Sequence, residues 1–421
     1  MAAPIVIQVT LGEKEIPANA RAIKNALNAE LKDVGNVGAD AGKRIGNALS
    51  SNVSVSLKKI GQEAKAAGTA LTAAITLPVL GLGAAVIKTG FDFEKSMNDL
   101  VAATKPTNEQ LRQATQLAKD LGNDLSLPAI SANDAAKAMT TLAKAGLSLD
   151  QTMAAVKGTL QLASAAQIDS AKAAEIQADA INTFKLQASD AGRVADLLAA
   201  SANSTSGEIT DVADALKQAG AAAALLRIPV EDTVTALGLL AQSGVRGSDA
   251  GTSLKTALIQ LTSPTKKAQE TMDKLGLSFF DAQGKLKPLR DLVDEYTTKT
   301  ANLTDQQKLQ TATNLAGTDG QRALNLVLGA GVEAYDKLKK ATTEANAAQE
   351  LAAAKAKGGI GAWEAFKSAL ETLALSIFDI IKGPLISLLQ VINNVVQFLN
   401  ELPQPVQTVI VVIAALAAAI G

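Results

Sequence analysis

Two pairs of carboxylates are the residues whose types and spacing come closest to a catalytic arrangement. Asp211 and Asp214 lie three residues apart, and Asp294 directly precedes Glu295. Paired carboxylates can hydrolyse glycosides or hold a divalent cation. The chain contains no histidine that could support either pair. We therefore predict that both pairs are solvated charges on exposed helix faces.

Most other routes to catalysis are excluded by residue type. The chain has neither cysteine nor histidine, which removes disulfides, Cys/His zinc sites, thiol nucleophiles and every triad that needs an imidazole. Carboxylate pairs and Ser–Lys dyads remain as the possible catalytic groups. The segment Gly81-Leu82-Gly83 is half of a dinucleotide turn, but no predicted strand precedes it. We predict a non-enzymatic protein with no catalytic, cofactor-binding or metal-binding residues.

The overall charge gives no general surface for nucleic acid. The 40 basic residues are balanced by 41 acidic residues. Proteins that bind nucleic acid usually present a basic patch to the phosphate backbone. We therefore predict no sequence-specific nucleic-acid binding.

The composition indicates a helical fold. Hydrophobic residues make up 48% of the chain, yet only 3% is aromatic, and alanine is abundant. Alanine is the strongest helix former, whereas strands favour aromatic and β-branched side chains. We predict an all-α fold with one short N-terminal β element, in which Ile5, Ile7, Val9 and Leu11 alternate with other residues.

Changes in composition divide the chain into five predicted segments. They are an N-terminal strand with a polar helical arm (1–65), an apolar hairpin (66–90), a central helical core domain (91–264), a helical extension with a small hairpin or loop (265–357), and apolar C-terminal helices (358–421).

Apolar segments near both ends have two interpretations. Residues 66–87 and 402–421 carry no charge and are long enough to enter a bilayer. Pro78 would interrupt a helix in the first segment, so a core helical hairpin explains it equally well. Pro384 is expected to separate further apolar helices, and we expect the chain to continue in a longer protein. The candidates for membrane contact are Leu77, Pro78, Val79, Leu80, Leu82, Val411, Val412 and Ile413.

Helix start and stop signals recur through the central segment. Ser131 with Asp134 predicts a capping box, and Gly146 and Gly244 predict helix ends. Ser248 is the predicted cap of the following helix. Pro229 is expected in a first turn.

The extension has its own local signals. DAQG after Phe279 and Phe280 predicts a hairpin or loop, and Thr304 with Gln307 predicts another capping box. The polar residues that follow, up to about Lys357, show little apolar face. We expect them to be solvated or to contact another copy of the chain.

Six motifs occur in one order along the chain. They are ITLPVLG (75–81), FDFEKSM (91–97), LAKAGLS (142–148), VEDTVTALGLLAQSGVRGSDAGTSLKTALIQLTSP (230–264), LGLSFFDAQGKLKPL (275–289) and NELPQPVQTVIVVIAALAAAIG (400–421). Together they resemble the core region of bacteriophage tail tape measure proteins over about residues 70–421, with SGVRGSDAG as the most specific part. The residues that carry the resemblance include Phe93, Glu94, Gly146, Thr233, Gly244, Gly247, Gly251 and Pro264.

The resemblance implies a structural protein inside the tail tube of a phage. Such proteins set tail length, scaffold tube assembly and assist genome ejection, and some are thought to form a channel in the host membrane. The implied partners are further copies of the chain (as trimer or hexamer), the tail tube protein, tail assembly chaperones, tail tip proteins and the host membrane. The implied locations are the tube lumen, the host cytoplasm during assembly and the host membrane on infection.

One alternative remains from the sequence alone. A bacterial helical pore-forming or secreted translocator protein would also need apolar helices near both ends of a helical body. In that case the same apolar segments would line a pore.

Overall fold

A computed structural model describes residues 70–124, 126–205 and 207–401, which contain fifteen α-helices and two short 3₁₀ turns. The helices are α1 (Ala70–Thr104), α2 (Asn108–Gly122), α3 (Ala132–Lys144), α4 (Leu149–Ala166), α5 (Ser170–Phe184), α6 (Ala191–Ser204), α7 (Ile209–Leu225), α8 (Val230–Gln242), α9 (Gly247–Thr262), α10 (Lys266–Leu275), α11 (Leu289–Thr300), α12 (Asp305–Val327), α13 (Val332–Thr342), α14 (Ala347–Lys355) and α15 (Gly359–Glu401).

These helices confirm the predicted all-α class. Within the described ranges the β pairing is a single antiparallel bridge between Phe280 and Leu286. It closes a small hairpin in which the Lys287 N–H donates to the Phe279 carbonyl at 3.0 Å, as the DAQG signal predicted. The predicted N-terminal strand and polar arm lie outside the described residues.

The chain divides into two compact units. The larger one spans Phe91–Thr372, and the smaller one contains the described residues 70–90 and 373–401. In the larger unit α9 packs between α7 and α12, α8 contacts α13, and α14 contacts both α4 and α6. The predicted core domain and the predicted extension therefore contribute to one unit.

The predicted helix caps are formed largely as expected. The Ser131 hydroxyl accepts the Asp134 N–H at 3.2 Å, and the Asp134 carboxylate accepts the Ser131 N–H at 3.1 Å. Thr304 and Gln307 form the same box at the start of α12. Gly146 and Gly244 follow α3 and α8 with φ of 98° and 86°, where a side chain would be strained.

Two predicted helix starts are shifted. The prediction that Ser248 caps α9 is wrong, because α9 begins at Gly247 with Arg246 as its N-cap. The connection after Gly244 is short, so the helix starts before Ser248 is reached. Pro229 is the N-cap of α8, one residue before the first turn in which it was expected.

The polar stretch before Lys357 is part of the body, so the expectation that it is solvated is wrong. Tyr335 and Ala348 are 0% exposed, and Leu338 and Ala352 are also buried. Alanine produces only a weak hydrophobic signal, yet it allows helices to pack closely. The hydrophobic pattern therefore did not predict that these alanines are buried.

Prolines do not interrupt the long helices where they were expected to. The backbone of α1 is helical through Pro78, so the structure has a helix in place of the predicted hairpin turn. Helix α15 likewise contains Pro384. A proline removes one backbone hydrogen bond but leaves the flanking bonds of a long helix in place.

The smaller unit is held together by a short apolar cluster. Val86, Ala374 and Phe378 are buried, with Ile377 and Ile381 among the partly buried side chains packed against them. The Phe378 ring lies directly over Gly90, where a Cβ atom would come within 2.0 Å of it. Of the helices in the described ranges, none combines the length and the apolarity needed to cross a bilayer.

Candidate functional site

The SGVRGSDAG block forms the tight connection between α8 and α9. Gly244 ends α8, and the Val245 N–H donates to the Leu240 carbonyl at 3.0 Å, which closes the last turn. Gly247 starts α9 with φ of 56°. The glycines of this block therefore set the direction in which α9 leaves α8.

Gly251 allows α7 and α9 to touch through their backbones. A Cβ atom at this position would lie 2.3 Å from the Ala215 carbonyl oxygen. On the other side of α9, a Cβ atom at Gly320 of α12 would lie 2.9 Å from the Ala257 nitrogen. Because real Cβ atoms do not come this close to backbone atoms, both positions require glycine. Gly251 of the block and Gly320 of α12 thus allow three helices to pack closely in one layer.

An ion pair connects the same helices at the surface. The Arg322 guanidinium donates to both oxygens of Asp249, at 2.6 and 2.8 Å. Both side chains are about half exposed, so the pair aligns α9 and α12 but adds little stability.

A polar network joins α8 to α13 in the interior. The Tyr335 hydroxyl donates to Asp232 at 2.6 Å, and the Lys339 ammonium contacts the same carboxylate oxygen at 2.6 Å. The hydroxyls of Thr235 and Thr342 are 3.2 Å apart beside it. Burial, reinforced by the hydrogen bond to Asp232, raises the pKa of Tyr335 far above its usual range. Each buried polar group of the network is therefore matched by a partner.

Sequence reasoning missed this network and a second long-range contact. Asp196 of α6 accepts the N–H groups of Asn346 and Ala348, at 2.9 and 3.0 Å, and so caps α14. A weak signal existed for the network, since Asp232 shares a helical face with Thr235. Nothing near Asp196 in the sequence indicates its partner.

The carboxylate pairs do not form a catalytic arrangement. Asp211 accepts the Glu208 N–H at 3.1 Å and caps α7, whereas Asp214 is exposed. Glu295 accepts the Ser278 N–H and the Lys287 ammonium, both at 2.6 Å, and only 17% of its side chain is exposed. The prediction of a solvated charge is therefore wrong for Glu295, because its carboxylate accepts hydrogen bonds that hold the hairpin to α11. Among the residues that the structure describes, no three potential metal-ligating side chains come together.

Comparisons with known proteins agree on one family. A family model described as "Phage-related minor tail protein" matches residues 115–317. The chain is 33% identical over 364 residues to the "Tape measure protein" of Pneumococcus phage Dp-1, a match that covers 86% of the chain and 31% of that relative. The chain belongs to the phage tail tape measure family.

A second relative supports the same assignment. The "Probable tape measure protein" of Escherichia phage P2 is 28% identical over 331 residues, which cover 77% of the chain and 40% of that protein. The chain thus spans well under half the length of either relative. No solved structure matches it.

The family-motif residues of this tape measure chain are spread over the larger unit and do not converge on one pocket. Phe93 and Thr233 are buried, and the Thr233 hydroxyl donates to the Pro229 carbonyl at 2.9 Å. Glu94 is in α1, and Pro264 is exposed after α9. Together with the glycines at 146, 244, 247 and 251, they mark helix ends and close contacts.

The candidates for membrane contact stay predictions. Leu77, Pro78, Val79, Leu80 and Leu82 lie in the N-terminal half of α1, and Val411, Val412 and Ile413 lie outside the described residues.

Proposed function

We propose that this chain is part of a structural protein that sets the length of a phage tail, scaffolds assembly of the tail tube and assists genome ejection. The observation that carries the proposal is the alignment to a tape measure protein over 86% of the chain. The partners that we propose are further copies of the chain, the tail tube protein, assembly chaperones and tail tip proteins.

The helices of the chain suit such a role in different ways. At 1.5 Å per residue, the 43 residues of α15 extend over about 65 Å. The larger unit, Phe91–Thr372, contains only the first third of α15 and is otherwise folded back on itself through many short helices. If the body stays folded inside the tail, residues added to α15 should increase the tail length, whereas residues added to the loops of the body should not.

An insertion experiment in the phage tests the length role. We would insert a 36-residue helical segment after Gln390 in α15, because ten complete turns keep the flanking helix faces in phase. The insertion should lengthen assembled tails by about 54 Å, measured in electron micrographs.

The matched control places the same segment in the exposed hairpin turn between Gln283 and Gly284. If the body stays folded in the tail, this insertion leaves tail length unchanged. Equal lengthening by both insertions would mean that the body is extended in the tube. Normal tails of unchanged length with the α15 insertion would contradict a length-setting role for this chain.

A further inference from the structure

An open cavity of about 400 Å³ is lined by α11 and by both ends of α12, within the larger unit. Helix α11 contributes Tyr296 and Thr300 to its wall, and α12 contributes Asp305, Lys308 and Asn325. Sites for small molecules begin at about 300 Å³, and one water molecule takes up only about 30 Å³ of the liquid. The cavity is therefore large enough for a ligand.

A bend in α12 brings its two ends to this cavity. Gly317 has φ of 69° and ψ of −177°, which are not helical values, and it lies near the middle of α12. In a straight helix, at 1.5 Å per residue, Asp305 and Asn325 would lie about 30 Å apart along the axis. Because the helix bends at Gly317, both residues line the same cavity.

A buried hydroxyl in the cavity wall has no partner. Tyr296 is 2% exposed, and its hydroxyl makes no hydrogen bond with any residue that the structure describes. The nearby hydroxyls of α11 are satisfied, since Thr297 donates to the Leu328 carbonyl at 3.0 Å and Thr300 donates to the Tyr296 carbonyl at 2.7 Å. Buried polar groups without a partner are rare and costly, so the Tyr296 hydroxyl points to a ligand that bonds to it.

Three further side chains of the wall can bind a ligand. Those of Asp305, Lys308 and Asn325 form no hydrogen bond or ion pair within the described part of the chain. Asp305 is exposed, and the other two are partly exposed. The carboxylate and the ammonium cancel in charge, so the cavity favours a ligand without net charge. Together with Tyr296, the three side chains offer both donors and acceptors.

We propose that this cavity binds a neutral, hydroxyl-rich small molecule of the size of a monosaccharide or disaccharide. Each hydroxyl of such a ligand both donates and accepts, as do the Tyr296 phenol and the Asn325 amide. The Tyr296 ring and Leu309, which is 53% exposed, supply apolar surface for the C–H face of a sugar ring. Asp305 accepts and Lys308 donates at the more exposed side of the cavity.

A charged or zwitterionic ligand fits this wall less well. Its charges would meet Asp305 and Lys308, which are at least partly exposed, and exposed ion pairs contribute little binding energy. The buried part of the wall, Tyr296 and Thr300, is neutral. Placing a ligand charge against that part would cost free energy, whereas a hydroxyl would not.

The inference goes beyond the proposed function and does not depend on it. Its test uses the isolated 421-residue chain, without assembly of a tail. A negative result would therefore leave the tail-length proposal standing. Unchanged tail length after the α15 insertion would, in turn, leave ligand binding unaffected.

Saturation-transfer NMR with four probes tests the class of ligand. Glucose and maltose are the neutral, hydroxyl-rich probes, glycine is the zwitterionic probe, and inorganic phosphate is the anionic probe. We expect at least one of the two sugars to bind with a Kd in the millimolar range or below. Glycine and phosphate should show no saturable binding.

Two variants of the wall test the place of binding. Tyr296→Phe removes only the hydroxyl and should raise the Kd for the sugar about fivefold, the change expected for one lost hydrogen bond. Asn325→Ala should raise it by a similar factor. Tyr335→Phe is the matched control, because its hydroxyl bonds to Asp232 and does not line the cavity. Circular dichroism melting confirms that each variant is folded.

Three results would overturn the proposal. They are a lack of binding by both sugars, tighter binding of glycine or phosphate than of either sugar, and a sugar Kd that Tyr296→Phe and Asn325→Ala leave as it is in Tyr335→Phe. The last result would mean that the sugar binds elsewhere and that only water meets the Tyr296 hydroxyl.

Discussion

The contact between α7 and α9 and the contact between α8 and α13 hold the same body together by opposite means. At Gly251 the two helices meet backbone to backbone, and there is no room for a single added carbon. Between α8 and α13, the long side chains of Tyr335 and Lys339 converge on one carboxylate of Asp232. The first contact depends on shape alone, and the second depends on charge and hydrogen bonding.

This difference determines how each contact fails. A close backbone contact is insensitive to pH but cannot accommodate added volume. A buried polar network accommodates small changes of shape, but it loses stability when one partner is removed or ionised. The predictions below separate the two, beginning with the largest expected effect.

Adding one methyl group should have opposite effects at two helical glycines. Gly251→Ala should lower the free energy of unfolding by about 3 kcal/mol, because its Cβ atom would overlap the Ala215 carbonyl. Gly192→Ala in α6 should raise it by up to about 1 kcal/mol, because its Cβ atom meets only the Gln161 side chain at 3.6 Å. Urea unfolding of both variants measures the contrast. Similar values would show that α7 and α9 are less close than described.

Removing one hydroxyl should distinguish two buried tyrosines. Tyr335→Phe should cost about 2 kcal/mol, because Asp232 loses a buried hydrogen bond. The Tyr296 hydroxyl is buried without a hydrogen-bond partner, so Tyr296→Phe should be neutral or slightly stabilising. Thermal unfolding at neutral pH compares them. An equal cost for both would indicate that the network contributes nothing specific.

High pH should weaken the polar contact but not the close backbone contact. Burial raises the pKa of Tyr296 to about 12 and that of Tyr335 further, whereas both ionise near pH 10 in the unfolded chain. The folded state then holds more protons, so stability is complete below pH 10 and falls above it, by up to about 1.4 kcal/mol per pH unit for each tyrosine.

Two of the variants already described, Tyr335→Phe and Gly251→Ala, provide the comparison. Between pH 10 and 11, Tyr335→Phe should lose less stability than the wild type, as followed by urea unfolding. Gly251→Ala should lose as much as the wild type. Parallel losses in all three proteins would assign the pH dependence to other groups.

The sequence by itself determined the helical class and several helix ends. Ser131 with Asp134, Thr304 with Gln307, and Gly146 and Gly244 act on atoms within a few residues of themselves. Their effect is local, because a cap or a left-handed glycine satisfies its own helix wherever that helix is placed. The family could also be predicted from the sequence, because the six motifs occur in the order that is typical of the family.

Only the tertiary structure decided which residues meet across the body. Asp232 and Tyr335 are separated by 103 residues, and Asp196 caps a helix that starts about 150 residues later. The tertiary structure likewise shows that Gly251 is the point where α9 contacts the backbone of α7. It also shows that the alanines of α14 are buried. Periodicity shows which face of a helix is apolar, but not which helix covers it, because that depends on the packing of the whole unit.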